Sequence, residues 1–269
     1  MNTIAPPPQI KRLPPTRRAL GILLGFAGGL TANVFIGYAG FNFWTRQTRW
    51  IPYSPPSSTS PSSSSTGSGS ASASGADAFV SAAKDLASAP HKQFNPHSNA
   101  PSLMDCCVRT VPLDKLKTTR QDELVTGFCR GVWSGVGFAY QRRYLERKYR
   151  GLEGREGMLW GREEMGRDGY PVGREIADHF EVVAHDGDKV IVRCGDSPLV
   201  RGTRPSDGLF TMEVKTDEEK GTATFFLKSV FVNTTPEGRD AGPLSWRFHF
   251  AHRLYTQLWM ETALRKLYK

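Results

Sequence analysis

The chain has 269 residues, a formal net charge of +9 and 39% hydrophobic residues. This length and composition allow one or two domains with a hydrophobic core, and they exclude a collagen, a coiled coil and a small disulfide scaffold. The charge is uneven, because residues 1–76 contain six basic and no acidic residues, whereas residues 77–269 contain 29 basic and 26 acidic residues. A nucleic-acid-binding domain concentrates positive charge, whereas the charges of residues 77–269 nearly balance. We therefore expect no nucleic acid partner.

The N-terminal part of the chain predicts a membrane anchor. Residues 1–18 form a basic, proline-rich tail, and residues 19–45 are uncharged. This run exceeds the roughly 20 helical residues that cross a bilayer, and aromatic residues cluster at its end, as they do at membrane interfaces. We therefore predict a single transmembrane helix over 19–45, with the membrane as a partner. The alternatives are a cleaved secretory signal peptide and a mitochondrial targeting segment.

The charges that flank this run predict its orientation. Four basic residues precede the run and two follow it, which favours an N-terminus in the cytosol, or in the matrix of a mitochondrion. Either the mitochondrial inner membrane or the endomembrane system fits this pattern. In a lumenal domain, Asn233 of the triplet Asn-Thr-Thr would be a glycosylation acceptor.

Residues 46–102 predict a disordered linker between the anchor and a globular domain. Residues 54–75 consist only of Ser, Pro, Thr, Gly and Ala, and such a segment has too little apolar surface to offset the entropy of folding. A short helix is expected over 76–90, after which three prolines return the chain to an irregular state. We place the globular domain at 103–269 and expect the linker to act as a flexible tether.

The first half of the domain predicts one strand and a helical stretch. A short strand is expected over 108–113, and a helix starts near Thr119. Apolar residues then recur every four positions over 124–140, as on one face of a helix. Four glycines in this stretch predict either close packing against a neighbour or a break near Ser134.

A glycine-rich segment, residues 151–175, predicts a mobile loop that covers a cavity. It contains neither of the glycine patterns that bind phosphate groups. Its expected apolar tip consists of Met158, Leu159 and Trp160.

From residue 177 the apolar residues alternate with period two. This pattern predicts two antiparallel hairpins, with strands over 179–183, 189–194, 209–215 and 222–232. Residues 244–268 predict a long terminal helix. We therefore predict an α+β domain in which an antiparallel sheet packs on a long C-terminal helix.

Residues 177–268 resemble the helix-grip, START-like (SRPBCC) superfamily, in which a curved antiparallel sheet wraps a C-terminal helix. The resemblance rests on the two hairpins, the connecting stretch GDSPLVRG and the terminal AHRLYTQLWMETALRKL. Members of that superfamily bind lipids, sterols, polyketides or other apolar ligands between sheet and helix, and some are cyclases or hydrolases. The resemblance implies a ligand cavity here. The alternative is a two-layer sandwich of another lineage.

The domain contains few patterns that specify a chemistry. His249 and His252 share a helix face, but no carboxylate stands at metal-ligand spacing, so we expect neither a metal nor a cofactor. The four cysteines lack zinc-site spacing and are expected to be buried or free thiols. No serine stands in a nucleophile elbow. The residues expected to line a ligand site are Tyr140, Arg204, Phe225, Leu227, His252 and Tyr255.

These patterns predict a membrane-anchored domain that binds an apolar small molecule or a lipid. One alternative is an enzyme, such as a cyclase, isomerase or hydrolase, that uses the same cavity. It predicts a buried acid or histidine at the cavity wall. The other alternative is a non-catalytic assembly factor of a membrane complex, which predicts a filled core and an exposed apolar patch. The sequence pattern indicates no particular oligomeric state.

Overall fold

The computed structural model describes residues 36–54 and 82–269. The chain divides into two units after Arg46. Before that boundary, residues 36–45 are helical, and we designate them α1. No helix within the described ranges combines the length and hydropathy that a membrane span requires. Most of the predicted anchor, residues 19–35, and most of the Ser/Pro-rich segment lie outside the described residues.

The unit that begins at Gln47 is built on a seven-stranded antiparallel sheet. Its strand order is β1-β2-β7-β6-β5-β4-β3. Strands β3 to β7 therefore form a meander, with β2 paired along the whole of β7 and β1 at the far edge. The strands are β1 Arg49–Ile51, β2 Leu103–Pro112, β3 Glu175–Ile176, β4 Phe180–Asp186, β5 Lys189–Gly195, β6 Asp207–Asp217 and β7 Thr222–Val232.

The helices confirm the α+β class and the long C-terminal helix. Helices α4 (Gln121–Ser134), α5 (Val136–Tyr149) and α7 (Trp246–Leu264) pack together and cover one face of the sheet, where the main hydrophobic core lies. The period-two alternation of the strands places their apolar side chains on this face. The helices after α1 are α2 Ala82–Leu86, α3 Ala89–Phe94, α4 Gln121–Ser134, α5 Val136–Tyr149, α6 Arg162–Arg167 and α7 Trp246–Leu264.

Glycines break the first helical stretch and also allow it to pack closely against α7. Gly135 has extended dihedral angles, φ −72° and ψ 165°, so one predicted helix becomes α4 and α5. On α4, a Cβ added at Gly131 would lie 2.6 Å from the carbonyl oxygen of Ala263, so glycine permits the close approach of α7. On α5, a Cβ at Gly137 would lie 2.9 Å from the ring of Trp259. Both roles predicted for these glycines are present.

The predicted linker over 46–102 needs correction. The compact unit begins at Gln47, and β1, α2 and α3 all lie within the range assigned to the linker. The helix expected over 76–90 is present in its described part as α2. Tyr53 and Ala82 belong to a second hydrophobic cluster together with residues from β2 and β7. In the chain, the Ser/Pro-rich segment therefore lies between β1 and α2, both of which belong to the compact unit.

The glycine-rich segment over 151–175 also differs from the expectation of a mobile loop. It contains α6 and β3, and its expected tip is buried in the main core. The exposed fractions of Met158, Leu159 and Trp160 are 4%, 8% and 3%. These three side chains thus pack into the main core beneath the segment and do not cover a cavity. Their burial is favourable because it removes apolar surface from water.

The cysteines are free and buried, as predicted. Cys106 and Cys107 are adjacent in β2, so their side chains point to opposite faces of the sheet. Cys107 belongs to the main core and Cys106 to the second cluster.

Candidate functional site

A cavity of about 370 Å³ lies under the first half of α7. Its walls come from α5, α7 and the helix-covered face of the sheet, and six of the twelve lining residues are Phe, Tyr or Trp. The lining residues are Gln141, His179, Phe180, Cys194, Phe210, Phe231, Phe248, Ala251, His252, Tyr255, Thr256 and Trp259. Such a site buries apolar surface and offers a few polar groups for orientation.

An aromatic cluster forms one wall of the cavity. The ring centroids of Trp133 and Phe180 are 4.6 Å apart, and Trp259 lies 5.4 Å from Trp133. Phe210 completes the contact with Trp259 at 5.3 Å. These distances and the mostly edge-to-face geometry are those of favourable aromatic pairs. The cluster joins α4, β4, β6 and α7, so it holds this wall in a defined position.

His252 on α7 is one of the polar residues that line the cavity. Its Nε2 atom lies 3.3 Å from Oδ2 of Asp105 and 3.1 Å from Oγ of Ser229. Asp105 and Ser229 face each other in the β2–β7 ladder. Neither carboxylate oxygen of Asp105 accepts a hydrogen bond from the described residues. The imidazole is therefore positioned to pair with this carboxylate when it carries a proton.

A second pocket of about 430 Å³ adjoins the first and shares Gln141 and His179 with it. Its lining is more polar, and Asp178 contributes a nearly buried carboxylate. This carboxylate accepts a hydrogen bond from the Ser197 hydroxyl and lies 3.0 Å from Nε of Arg155. An apolar cavity therefore continues into a more polar one.

The backbone beside His179 is unusual. Ala177 and Asp178 have φ angles of 52° and 53°, in the left-handed region that non-glycine residues rarely adopt. Two consecutive residues in this region cost free energy, and the surrounding contacts of Asp178 hold them there. The result is that His179 points into the junction of the two pockets.

Burial shifts the pKa values of three groups at this junction and in the apolar cavity in the direction that favours their neutral forms. Burial lowers the pKa of His179, so its imidazole is neutral at pH 7. Burial also raises the pKa of the Cys194 thiol to about 12, an effect that Asp207 reinforces, and raises the pKa of Tyr255 to about 12. The Tyr255 hydroxyl donates a hydrogen bond to Oε1 of Gln141, at 2.9 Å. Cys194 is therefore a thiol and not a nucleophilic thiolate at neutral pH.

Two of the six residues expected at the site, His252 and Tyr255, line the cavity. Tyr140 lies on the outer surface of α5 and is 85% exposed. Phe225 and Leu227 are fully buried in the main core instead, and the Phe225 ring packs 5.1 Å from that of Phe128.

Arg204, the remaining expected site residue, has a structural role in its loop. Its side chain is buried, and its guanidinium donates hydrogen bonds to the carbonyl oxygens of Val200 and Asp196, at 2.9 and 3.1 Å. These bonds close the connection between β5 and β6. Arg204 lines neither pocket described above.

Two further expectations concerned a metal and a glycan. Among the described residues, no three His, Cys, Asp or Glu side chains form a group that would hold a metal ion. Asn233 is half-buried, and its side-chain oxygen accepts hydrogen bonds from the backbone N–H and hydroxyl of Thr235.

Sequence reasoning missed His179, Phe210 and Trp259 at the site. The alternation in β6 places Phe210 on the helix-covered face, and Trp259 lies one turn after Tyr255 on α7. The sequence pattern could therefore have identified both as residues of the site. His179 had none, because its direction depends on the left-handed residues before it.

No protein family, curated protein or solved structure matches this chain.

Proposed function

We propose that this protein is a membrane-anchored, helix-grip-like domain that binds a lipid or another largely apolar small molecule between its sheet and α7. The observation that carries the proposal is the aromatic cavity of about 370 Å³ beneath α7. Ligand sites commonly have volumes of about 300–1,000 Å³ and apolar walls with a few polar groups, and this cavity has both properties.

The adjoining polar pocket favours an amphipathic ligand. The apolar body of such a molecule would occupy the space between Phe210, Phe231 and Trp259. Its polar end would reach Gln141 and His179, where the two pockets meet. A lipid with a hydrogen-bonding head group has this distribution of apolar and polar surface, so its polar end would find hydrogen-bond partners in the site.

The anchor remains part of the proposal. The uncharged run 19–45 is long enough to cross a bilayer. β1 begins at Arg49, four positions after Thr45, which is the last of the helical residues 36–45.

Occluding the cavity tests the proposal. Ala251 lines the cavity and lies near solvent, so the substitution Ala251→Trp would place an indole ring in the ligand space without cutting into the closed core. We expect this variant to lose at least about tenfold in affinity for a fluorescent fatty acid, because overlap with the ligand removes its apolar contacts. Fluorescence titration of the full chain measures the affinity.

The matched control is Ala241→Trp, since Ala241 is exposed and lies outside both pockets. This control should bind the probe as the unaltered chain does. Equal affinity in the Ala251→Trp and Ala241→Trp variants would contradict binding in this cavity.

A second candidate function, an enzyme acting in the same cavity, is favoured by the pairing of His252 with Asp105. A histidine next to a carboxylate can act as a general base in a water-poor site. The substitution His252→Gln keeps a polar side chain but removes this function. If the protein is an enzyme, the molecules extracted from the variant and from the unaltered protein will differ in chemical structure. A simple binding protein will yield the same molecule from both.

A further inference from the structure

We propose that the outer surface of α5 and the beginning of α7 together bind the head-group layer of an anionic phospholipid bilayer. This surface is defined by Val136, Tyr140, Arg143, Tyr144 and Arg147 of α5 and by Trp246, Arg247 and Phe248 of α7. The inference deepens the proposed function, on which it rests, because it supplies the route by which a lipid enters the cavity.

Exposed aromatic side chains are concentrated on this surface. On α5, Val136, Tyr140 and Tyr144 recur every four residues and are 72%, 85% and 53% exposed. At the start of α7, Trp246 is 73% exposed and Phe248 is 43% exposed. Trp, Tyr and Phe with basic neighbours are the residues that surface helices place in the interfacial layer of a bilayer.

Helices α5 and α7 are in contact at the cavity. The Tyr255 hydroxyl of α7 donates its hydrogen bond to Gln141 of α5, one residue after the exposed Tyr140. Phe248 is both exposed to solvent and part of the cavity lining. Phe248 thus connects the exposed residues at the start of α7 with the wall of the ligand cavity.

Charge is concentrated on the same elements. Together, α5 and residues 246–255 of α7 contain six basic residues and one acidic residue. The other residues from 77 onward contain 23 basic and 25 acidic residues. The net positive charge of residues 77–269 therefore comes from the helices that flank the cavity. Clustered Lys and Arg side chains attract anionic lipids at short range.

The course of the chain supports a bilayer as the partner. β1 follows the uncharged run 19–45 after a few residues, and its Trp50 contacts α7. The guanidinium of Arg253 on α7 lies 4.3 Å above the ring of Trp50 in β1. Trp50, which follows the uncharged run in the chain, thus lies next to the helix that carries Trp246.

A fluorescence experiment on the full chain tests this inference. The four native cysteines are buried, so a new surface cysteine can be labelled selectively with an environment-sensitive dye. The reporter variants are Tyr140→Cys and Trp246→Cys. The control is Val172→Cys, because Val172 is 64% exposed and lies outside α5 and α7. Each variant is reconstituted in nanodiscs of phosphatidylcholine, with or without phosphatidylserine.

We expect a blue shift of the dye at positions 140 and 246 in the nanodiscs that contain phosphatidylserine, and no shift at position 172. Reversing two charges, with Arg143→Glu and Arg147→Glu, should abolish the shift. The absence of a shift would overturn the inference. So would a shift that depends on protein concentration and not on phosphatidylserine, because that result would indicate a second copy of the chain or another protein on this surface.

The two proposals fail separately. If a lipid is extracted from the cavity but the dye does not shift, the docking surface is wrong and the proposed function stands. If the dye shifts but the purified chain contains no bound molecule, the surface binds the bilayer and the proposed function is wrong.

Discussion

Replacing Trp133 with alanine is expected to destabilise the domain by about 3–5 kcal/mol, the usual cost of removing a large aromatic side chain from a core. Trp133 is fully buried at the centre of the aromatic cluster. Its ring lies 4.6 Å from that of Phe180 and 5.2 Å from that of Phe138. The cavity left behind would adjoin the ligand cavity through Trp259, so the shape of the site should change as well. Urea unfolding of the full chain, followed by circular dichroism, measures the change.

The matched control for this prediction is Trp246→Ala, which removes the same side chain from an exposed position on α7. A change within about 0.5 kcal/mol is expected there, since surface substitutions away from special features cost little. Similar losses at positions 133 and 246 would contradict the assignment of Trp133 to the centre of the core.

The second large effect is expected from Lys228, a lysine buried on the opposite face of the sheet. Its Nζ atom lies 2.6 Å from Glu213 and 2.8 Å from Asp85, and its side chain is 4% exposed. The substitution Lys228→Met would leave both carboxylates without this cation. Breaking a buried ion pair by removing one partner typically costs about 3–5 kcal/mol. The free energy of unfolding should fall by this amount at pH 7.

The pH dependence of that effect has a definite sign. Burial opposes the charge on Lys228, but Glu213 and Asp85 together raise its pKa above the usual value of 10.5. Its stabilising contribution is complete below pH 10.5 and is lost as the pH rises through the raised pKa of the folded state. The difference in unfolding free energy between Lys228→Met and the unaltered chain should therefore shrink above pH 10.5.

The control for this prediction is Lys220→Met, which breaks the ion pair of Lys220 with Asp217 near the protein surface. Solvent screens such a pair, so a much smaller loss of stability is expected. An equally small loss for Lys228→Met would contradict the buried network.

Local patterns in the sequence predicted the second half of the domain well. The strand expected over 222–232 is β7, because alternation over eleven residues leaves one face apolar and fixes the structure locally. The terminal helix, expected over 244–268, is observed as α7, Trp246–Leu264. α7 also carries His252 and Tyr255, the two expected site residues that do line the cavity. The pattern of one helical face was sufficient to identify them.

The first part of the unit could not be predicted in the same way. β1 has only three residues, and its pairing with β2 brings together segments more than 50 residues apart. The contact between Asp85 and Lys228 joins residues 143 positions apart. Such contacts leave no periodic signal in a single sequence, so this region resembled a continuation of the linker.

The site was predicted only in part for a related reason. Alternation places both Phe210 and Phe225 on the helix-covered face of the sheet. Phe225 packs under α4, and Phe210 borders the space that α7 leaves open. The positions of the covering helices decide which of the two meets a ligand. Arg204 was misplaced because a buried arginine and a ligand-binding arginine have the same local sequence pattern.

Extraction of the bound molecule tests the central claim most directly. The full chain would be purified from membranes in mild detergent, denatured in organic solvent, and the released molecules identified by mass spectrometry. We predict one dominant amphipathic molecule in near-stoichiometric amount, strongly reduced in the Ala251→Trp variant and retained in Ala241→Trp. A chain that releases no such molecule, or that retains it equally in the Ala251→Trp variant, would contradict a ligand site beneath α7.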